Sequence, residues 1–402
     1  MHPRDLAISD YTYVLHEERI AQHPLAERDA SKLLVHRNGV IRDRRFGDLM
    51  EEVPANALLV LNDTRVVNAR LVFQRTTGAR IEILCLNPTG DRPVELAFND
   101  RGSAEWECFV GNAKRWKEGE ELALSEGAIT LKATRVASER ILFRWAPADL
   151  SFSEVLARFG HVPLPPYMKR PDAEADTERY NTVFAKSEGS VAAPTASLHF
   201  TPTMLAAMTE KGVRTTALTL HVGAGTFLPV KSTTMADHAM HGEQVRVPMA
   251  ALEVLAAQLG TGPVVAVGTT ALRTLESIYW HGVKLLEGCP SGELDIEQWE
   301  PYGRDGTVGV SAIDAVTAVI TDLRSHGEDR LVGRTRLLIA PGYTFRFVDG
   351  LVTNFHQPQS TLLLLVAAFI GGSWRAVYDH ALSSNYRFLS YGDGSLLWRT
   401  II

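Results

Sequence analysis

Strand-like runs that end in glycine or polar residues recur along this chain. Ala57 to Leu61 and Val264 to Val267 are continuously apolar, and Thr215 to Val222 has a strand pattern that leads into a glycine loop. Continuous apolar runs are typical of strands that are buried on both faces. Because ligands in α/β sheets bind beyond the carboxyl ends of strands, the residues that follow these runs are candidates for a functional site.

Between residues 71 and 146 the pattern changes to short alternating runs separated by Gly, Pro, Asn and Asp. The strands predicted there are Ala79 to Leu86, Val94 to Phe98, Ala104 to Val110, Glu121 to Leu124, Ala128 to Val136 and Arg140 to Trp145. Such a series predicts a small antiparallel β-barrel, closed or half-closed. Helical and buried-strand patterns resume near Phe152. We therefore predict an α/β fold in which residues 67–149 form a domain inserted into a discontinuous catalytic domain, residues 1–66 and 150–402.

Length and composition set further bounds. A chain of 402 residues predicts two domains, and 45% hydrophobic with 22% charged residues is typical of a soluble protein. The net charge of −6 excludes a globally basic nucleic-acid binder but not a local basic patch.

Cys85, Cys108 and Cys289 are far apart in sequence, which predicts reduced thiols in a cytoplasmic protein. The apolar run Thr361 to Ile370 is too short to span a bilayer, so we predict a buried helix.

Four polar residues follow the first buried strand. Asn62 and Asp63 favour a turn, whereas Arg65 would place a fixed cation with a forked set of donors at the end of the sheet. We expect Asp63 and Arg65 to take part in the chemistry.

The stretch from Gly189 to Val230 contains two histidines, hydroxyl residues and the glycine loop. Its candidates are His199, His221, Thr195, Gly223, Gly225 and Thr226. The loop lacks the third glycine of a dinucleotide fingerprint, and the chain has neither a P-loop nor a nucleophile elbow. We therefore expect a polar site without a metal, assembled from several strand ends.

His241 and Glu243 form a second polar cluster. Their spacing is not that of a zinc helix, so we expect acid–base or hydrogen-bonding roles. A capped turn before the strand Gln244 to Val247 explains the same residues equally well.

Strand, glycine and two threonines open the helix that begins near Ala271. This arrangement predicts a cradle for an anion, formed by Thr269 and Thr270. Arg273 and Glu276 lie one turn apart on that helix. Because the helix dipole disfavours a cation in the first turn, we expect a ligand carboxylate next to Arg273.

Polar residues also close the last part of the chain. A strand is predicted over Arg336 to Ala340, and the candidate Tyr343 lies in the turn that follows it. A further predicted strand leads to the candidates Asn354, His356 and Ser360 at the start of a helix. Two more candidates, Tyr391 and Asp393, lie in the closing segment. The segment Trp280 to Arg334 carries little pattern besides a helix over Ala312 to His326, and we predict a surface excursion.

Two short basic segments are candidate RNA contacts. Lys114 and Arg115 lie in a loop with a tryptophan, and Lys169 and Arg170 end a stiff proline-rich arm. A solvated hairpin tip and a simple linker are the alternative interpretations.

Taken together, the motifs resemble one family, the S-adenosylmethionine:tRNA ribosyltransferase-isomerases of queuosine biosynthesis. The matching stretches are Arg28-Asp29 with Lys32-Leu33-Leu34, Leu61 to Val66, Pro163 to Tyr167, Arg179 to Ala185, Gly189 to Thr201, Leu218 to Phe227, His238 to Glu243, Val267 to Ser277, Pro341 to Tyr343, Thr353 to Leu365 and Tyr386 to Asp393. They follow one another in order over most of the chain.

This resemblance implies a barrel-like α/β domain carrying an inserted β-barrel, and a reaction with two substrates and no separate cofactor. The ribosyl part of S-adenosylmethionine is transferred and isomerised onto 7-aminomethyl-7-deazaguanine in the wobble position of a tRNA anticodon. Adenine and methionine leave. The candidates for the base that this reaction needs are His199, His221, His241 and His356. Glu243 and Asp63 are the second choice. Thr269, Thr270 and Arg273 would hold the methionine carboxylate, and a cytoplasmic monomer is expected.

Two other functions fit the same scaffold. One is a transferase that uses S-adenosylmethionine but acts on a different acceptor, which an insertion at 280–334 would favour. The other is a catalytically silent RNA-binding protein.

Overall fold

The computed structural model describes residues 2–90, 92–223, 230, 232–290, 292–303 and 309–399. The strands are β1 (Lys32–Arg37), β2 (Val40–Arg45), β3 (Leu58–Asn62), β4 (Thr64–Val66), β5 (Arg70–Gln74), β6 (Arg80–Pro88), β7 (Ser103–Gly111), β8 (Glu121–Glu126), β9 (Ile129–Arg135), β10 (Arg140–Ala146), β11 (Gly160–His161), β12 (Ser187–Ser190), β13 (Arg214–His221), β14 (Glu243–Pro248), β15 (Val264–Val267), β16 (Leu294–Ile296), β17 (Arg330–Thr335), β18 (Gly350–Asn354) and β19 (Gly394–Trp398). The helices are α1 (Leu49–Glu52), α2 (Val94–Phe98), α3 (Phe152–Phe159), α4 (Glu174–Arg179), α5 (Pro202–Glu210), α6 (Met249–Gln258), α7 (Thr269–Leu286), α8 (Ala312–His326), α9 (Thr361–Ile370) and α10 (Trp374–Ser383).

A mixed ten-stranded sheet forms the larger part of the fold. Its order is β16-β17-β14-β13-β3-β15-β18-β19-β1-β2. The central strands β13, β3, β15 and β18 are parallel to one another, and β3 and β15 are buried along their whole length, as their apolar sequences predict. The order runs from β16 at one edge to β2 at the other, so the described strands form an open sheet, not the barrel-like closure that the resemblance implies.

An antiparallel half-barrel follows the first strands of the large sheet. Its seven strands have the order β11-β5-β6-β7-β10-β9-β8. Alternate side chains of these strands point inwards and form a core of their own around Phe73, Trp106, Phe143 and Phe152. The alternating sequence between residues 71 and 146 therefore predicts the correct type of sheet.

One of the predicted strands in this region is wrong. Val94–Phe98 forms the short helix α2. Val94, Ala97 and Phe98 are all buried, at the spacing of one helical face, and Pro93 precedes the helix. A short apolar run fits a strand and a helical turn equally well, so periodicity alone does not separate them.

The strand predicted over Arg336 to Ala340 is also wrong. The chain forms β17 just before it, over Arg330–Thr335. The following residues are buried, but their backbone makes isolated hydrogen bonds, from the N–H of Arg336 to the carbonyl of Ile296 and from the N–H of Leu338 to that of Gln298. The apolar sequence at 337–340 thus reflects burial, not a strand.

The segment from Trp280 to Arg334 is not a surface excursion. Helix α7 continues to Leu286, and α8 packs against it so closely that a Cβ on Gly282 would lie 2.1 Å from the carbonyl oxygen of Ala315. Leu294 and Ile296 of β16 are fully buried at the edge of the large sheet. The segment contributes to the main hydrophobic core.

The apolar helix near the carboxyl end belongs to that core as well. Thr361–Ser383 is long and apolar enough to meet the length criterion for a membrane span. In the fold it is divided by a 3-10 turn at Gly371–Ser373, and Leu363, Leu364 and Ile370 are buried. The prediction of a buried helix over Thr361–Ile370 is confirmed.

Candidate active site

Two adjacent clefts lie beyond the carboxyl ends of the central strands. The first, called the Thr270 cleft, is lined by Tyr167, Ala193, Pro194, Thr195, Ala196, Val222, Gly268, Thr269, Thr270, Thr353, Asn354, His356, Gln357, Ser360, Leu362, Leu389 and Ser390. Strand β15 ends directly before Gly268, and β18 ends at Asn354. The structure therefore brings together the predicted candidates Thr195, Thr269, Thr270, Asn354, His356 and Ser360.

His356 is the most deeply buried ionisable group of this cleft. Its Nε2 hydrogen-bonds with the hydroxyl of Thr353 at 2.9 Å, and its backbone N–H donates to the hydroxyl of Tyr378. Burial lowers the pKa of His356 to about 3. The imidazole is consequently neutral at physiological pH.

Asn354 and Thr195 form a pair across the cleft. The Thr195 hydroxyl donates to Oδ1 of Asn354 at 2.8 Å. Nδ2 of the same amide is buried and has no hydrogen-bond partner among the described residues. Thr195 thus holds the oxygen of the Asn354 amide, and the NH₂ group of that amide has no partner among the described residues.

The second cleft, called the His221 cleft, lies between the large sheet and the half-barrel. It is lined by Leu86, Asn87, Val94, Gly189, Val191, His221, Val222, Gly223, His241, Gly242 and Gln244. Three of the predicted candidates, His221, Gly223 and His241, line it. Because Val222 lines both clefts, the two are neighbours along one strand end.

The ring of His221 is held from two sides. Its Nδ1 hydrogen-bonds with the hydroxyl of Thr64 at 3.0 Å. Gly189, at φ +149°, lies against the ring, where a Cβ would come within 2.5 Å of Cε1. These contacts fix the orientation of the imidazole.

Asn62 connects the strand ends behind both clefts. Its Oδ1 accepts from the backbone N–H groups of Thr64 and Leu220, and its Nδ2 donates to the Leu220 carbonyl at 3.0 Å. Nδ2 also lies 3.5 Å from the hydroxyl of Thr270. A fully buried amide therefore ties the His221 strand to the threonines of the first cleft.

Several predicted site residues are used elsewhere in the fold. His199 lines neither cleft; its Nδ1 hydrogen-bonds with the Ser31 hydroxyl at 3.0 Å, and its ring packs on Phe46. Burial lowers the pKa of His199 to about 4. These contacts hold the ring inside the fold, and the catalytic role of His199 stays a prediction.

The carboxylate next to Arg273 belongs to the chain itself. Nη1 of Arg273 lies 2.5 Å from Oε2 of Glu243, and Nε donates to the carbonyl of Leu337. Both side chains are buried, and His241 lies 3.4 Å from the other oxygen of Glu243. The ion pair occupies Nη1 of Arg273, whereas its buried Nη2 has no hydrogen-bond partner among the described residues. A substrate carboxylate next to Arg273 stays a prediction.

Glu276 and Tyr343 are hydrogen-bonded to each other. The Tyr343 hydroxyl donates to Oε2 of Glu276 at 2.9 Å, and the same carboxylate accepts from the backbone N–H groups at 346–348. Burial raises the pKa of Glu276, and the hydrogen bonds oppose the shift. The pair anchors the loop before β18, and its assignment to substrate binding stays a prediction.

The closing segment is likewise held by internal contacts. The Tyr391 hydroxyl donates to Oδ1 of Asp176 at 2.8 Å, and Arg170 makes two hydrogen bonds to the same carboxylate at 2.7 and 2.8 Å. Asp393 accepts from the backbone N–H groups of Lys32 and Arg387. These contacts give Tyr391, Asp393 and Arg170 internal partners, and their assignments to substrate and RNA stay predictions.

The remaining candidates lie outside the two clefts. Asp63 accepts from the Thr219 hydroxyl at 2.7 Å, and the exposed Arg65 lies 4.0 Å from Glu188. On the surface, Lys169 pairs with Glu17, whereas Lys114 and Arg115 lie in an exposed turn of the half-barrel. The predicted Gly225 and Thr226 fall outside the described residues.

Comparison with known proteins places the whole arrangement in a family. Residues 8–397 match the family described as queuosine biosynthesis protein. The chain belongs to this family. An S-adenosylmethionine:tRNA ribosyltransferase-isomerase from Anaeromyxobacter sp. (strain Fw109-5) is 42% identical over 98% of this chain and 99% of that protein. One from Dechloromonas aromatica (strain RCB) is 40% identical over 98% and 97%.

A solved structure is also similar to this chain. The S-adenosylmethionine tRNA ribosyltransferase from Thermotoga maritima is 28% identical, with 97% of this chain and 100% of that chain covered and a TM-score of 0.47. Membership of the queuosine biosynthesis family rests on the full-length sequence matches, which confirm the resemblance seen in the motifs.

Some cleft residues escaped the sequence analysis. Tyr167 and Ser390 line the Thr270 cleft, and their hydroxyl groups lie 2.5 Å apart. Both belong to stretches shared with the queuosine biosynthesis family, but neither follows a predicted strand. Only the motif match, and not the strand-end rule, could have pointed to them.

The described residues contain no group of three or more His, Cys, Asp or Glu side chains placed to hold a metal ion. Cys85, Cys108 and Cys289 are free thiols, the first two buried in the half-barrel and the third exposed. Hydroxyl, amide and imidazole groups line the two clefts.

Proposed function

We propose that the chain transfers and isomerises the ribosyl part of S-adenosylmethionine onto 7-aminomethyl-7-deazaguanine in the wobble position of a tRNA anticodon. Adenine and methionine are released. Membership of the queuosine biosynthesis family supports this function. So do full-length relatives that are named S-adenosylmethionine:tRNA ribosyltransferase-isomerase.

The observation that carries the proposal is the adjacency of the two clefts. Val222 lines both, so a hydroxyl- and amide-lined pocket opens beside a pocket that contains two imidazoles. Transfer between two substrates needs neighbouring sites, because the reacting atoms must approach within about 3–3.5 Å. We assign S-adenosylmethionine to the Thr270 cleft and the modified base to the His221 cleft.

His356 and His221 suit different tasks. Ribosyl transfer begins with removal of a proton next to the sulfonium, which needs a base that titrates near neutral pH. With a pKa of about 3, the imidazole of His356 is too weak a base and acts through hydrogen bonds. Of His221 and His241 in the neighbouring cleft, we propose His221 as the base, because Thr64 and Gly189 fix the orientation of its ring.

The substrates themselves supply the reacting groups. S-adenosylmethionine serves as a substrate, with no separate cofactor. For the tRNA phosphates we propose Lys114, Arg115 and Lys169, because Arg170 is bound to Asp176. The expected state is a cytoplasmic monomer.

The half-barrel is proposed to be an inserted domain, residues 67–149, within a catalytic domain made of residues 1–66 and 150–402. A hydrophobic core that is separate from that of the large sheet supports this division. Leu86, Asn87 and Val94 from this unit line the His221 cleft. The proposed domain would then place part of the tRNA beside the base.

Incubation with S-adenosylmethionine labelled in the ribose, together with tRNA bearing the aminomethyl base, tests the function. We expect release of adenine and label in the tRNA. The matched control is the same tRNA with guanine in the wobble position, which should remain unlabelled.

Two other outcomes would replace the proposal. Adenine release without label in the tRNA would indicate a different acceptor. Binding of tRNA with neither adenine release nor labelling would indicate a catalytically silent RNA-binding protein.

A further inference from the structure

The amino end of α7 is buried and has no cap. The helix begins at Thr269 after Gly268, and among the described residues no side chain accepts a hydrogen bond from its first turn. Thr269 and Thr270 are both buried, and none of their backbone N–H groups donates to a described residue. Unsatisfied N–H groups at a buried helix end are costly unless a partner binds there.

Four other helices are capped by side chains, whereas α6 and α10, like α7, have no such cap among the described residues. Ser151, Thr201, Ser311 and Ser360 cap α3, α5, α8 and α9 through their side-chain oxygens. Helix α7 is the longest in the described part of the chain, with 18 residues, so the positive end of its dipole is fully developed. Its uncapped end faces the Thr270 cleft, beside the capped end of α9.

Asn354 provides a second, independent indication of a ligand. Only 3% of this residue is exposed, and its Nδ2 has no hydrogen-bond partner among the described residues. The Thr195 hydroxyl holds the other end of the amide. Asn354 and Val352 both belong to β18, and the N–H of Gly268 donates to the carbonyl of Val352. Asn354 therefore lies close to the amino end of α7.

These groups are all donors, which selects the ligand chemistry. The free N–H groups of α7 and the Asn354 amide suit an anion with several acceptor lone pairs. Arg273, a buried cation one turn further along α7, is already bound to Glu243. In S-adenosylmethionine only the methionine carboxylate is an anion.

We propose that the amino end of α7 and Nδ2 of Asn354 bind the methionine carboxylate of S-adenosylmethionine, with Thr195 as the residue that positions Asn354. This inference rests on the proposed function, because it assumes that S-adenosylmethionine is the substrate. It replaces Arg273 as the partner of the carboxylate.

Calorimetric binding of S-adenosylmethionine and of its decarboxylated analogue tests the inference. The wild-type protein should bind S-adenosylmethionine about tenfold more tightly or better, because a hydrogen bond to a charged group is lost with the carboxylate. Asn354→Ala should weaken S-adenosylmethionine about tenfold and the analogue little. Asn354→Asp keeps the shape of the side chain and should reverse the preference, because two carboxylates then face each other.

A third variant tests the helix end. Thr269→Pro removes one N–H group from the first helical position, where proline is tolerated, as Pro202 shows at the start of α5. It should also lower the preference for the carboxylate. The matched control, Ser311→Ala, removes the cap of α8 and should leave the preference unchanged.

Four results would overturn the inference. If the wild-type protein binds both compounds equally, or if Asn354→Ala weakens both equally, the cleft does not recognise the carboxylate, and the proposed function stands without this inference. If Asn354→Asp keeps the preference, the amide donor is not in contact with the carboxylate. If the wild-type protein binds neither compound, the proposed function fails as well.

Discussion

Gly189 lies against the imidazole of His221 so closely that no other residue fits there. A Cβ at position 189 would approach Cε1 of the ring within 2.5 Å and Nδ1 within 2.8 Å. The backbone at Gly189, with φ +149°, is also one that L-residues rarely adopt. One small residue on β12 therefore sets where the proposed base points.

Gly189→Ala should lower kcat/KM about 100-fold, because displacement of a reacting group by about 1 Å has an effect of this size. Steady-state ribosyl transfer together with thermal unfolding checks this. Gly260→Ala is the control, since Gly260 has φ +79° with nothing within 4 Å of the added Cβ. If both variants lose activity to the same extent, backbone strain and not the position of His221 is responsible.

Arg273 and Glu243 should contribute to stability and not to substrate affinity. Removing one member of a buried ion pair leaves an unpaired charge, so Arg273→Ala should lower the free energy of unfolding by about 3–5 kcal/mol. Urea unfolding measures the change, and calorimetry on the folded protein should show unchanged affinity for S-adenosylmethionine. Arg324→Ala breaks the exposed pair with Glu253 and should cost less than about 1 kcal/mol. A weakened affinity with full stability would restore the substrate role of Arg273.

Most elements that position the clefts follow from local sequence. Val264–Val267, Ala312–His326 and Thr361–Ile370 have the bounds that their apolar patterns predict. Strand ends are also readable, which is why Thr270 and Asn354 appear as candidates before the fold is known. Periodicity and turn residues determine both features.

The hydrogen-bond partner of each polar side chain cannot be predicted from local sequence. Arg273 meets Glu243 across 30 positions of sequence, and Tyr391 meets Asp176 across 215. A polar residue after a strand looks the same whether it faces a substrate or another buried group. The sequence therefore predicts which end of the sheet is polar, but not which side chains remain available.

His199 should make stability depend on pH. Burial lowers its pKa to about 4, whereas an exposed histidine titrates near about 6.5, so the unfolded chain binds more protons below that pH. The free energy of unfolding should fall as the pH drops from about 6.5 towards 4, by about 2 kcal/mol at pH 5 from this residue.

Urea unfolding of the wild type and of His199→Gln at pH 7, 6 and 5 measures this contribution. The variant should lose less stability between pH 7 and pH 5 than the wild type. His23→Gln, at an exposed histidine, should not differ from the wild type. Equal slopes for all three proteins would show that His199 is not held neutral by the fold.

Lys114 and Arg115 should contact tRNA phosphates, whereas Arg170 should not. Each neutralised phosphate contributes about 0.7–0.9 to the slope of log K against log salt concentration, so Lys114→Ala and Arg115→Ala should each reduce that slope by about one unit or slightly less. Arg324→Ala on the exposed surface of α8 serves as the control and should leave the slope unchanged. Filter binding of tRNA between low and moderate salt provides the measurement.

Arg170 is bound to Asp176 by two hydrogen bonds, so Arg170→Ala should lower the melting temperature and leave the salt slope of tRNA binding unchanged. A reduced slope for Arg170→Ala in a fully stable protein would return this arginine to the RNA surface.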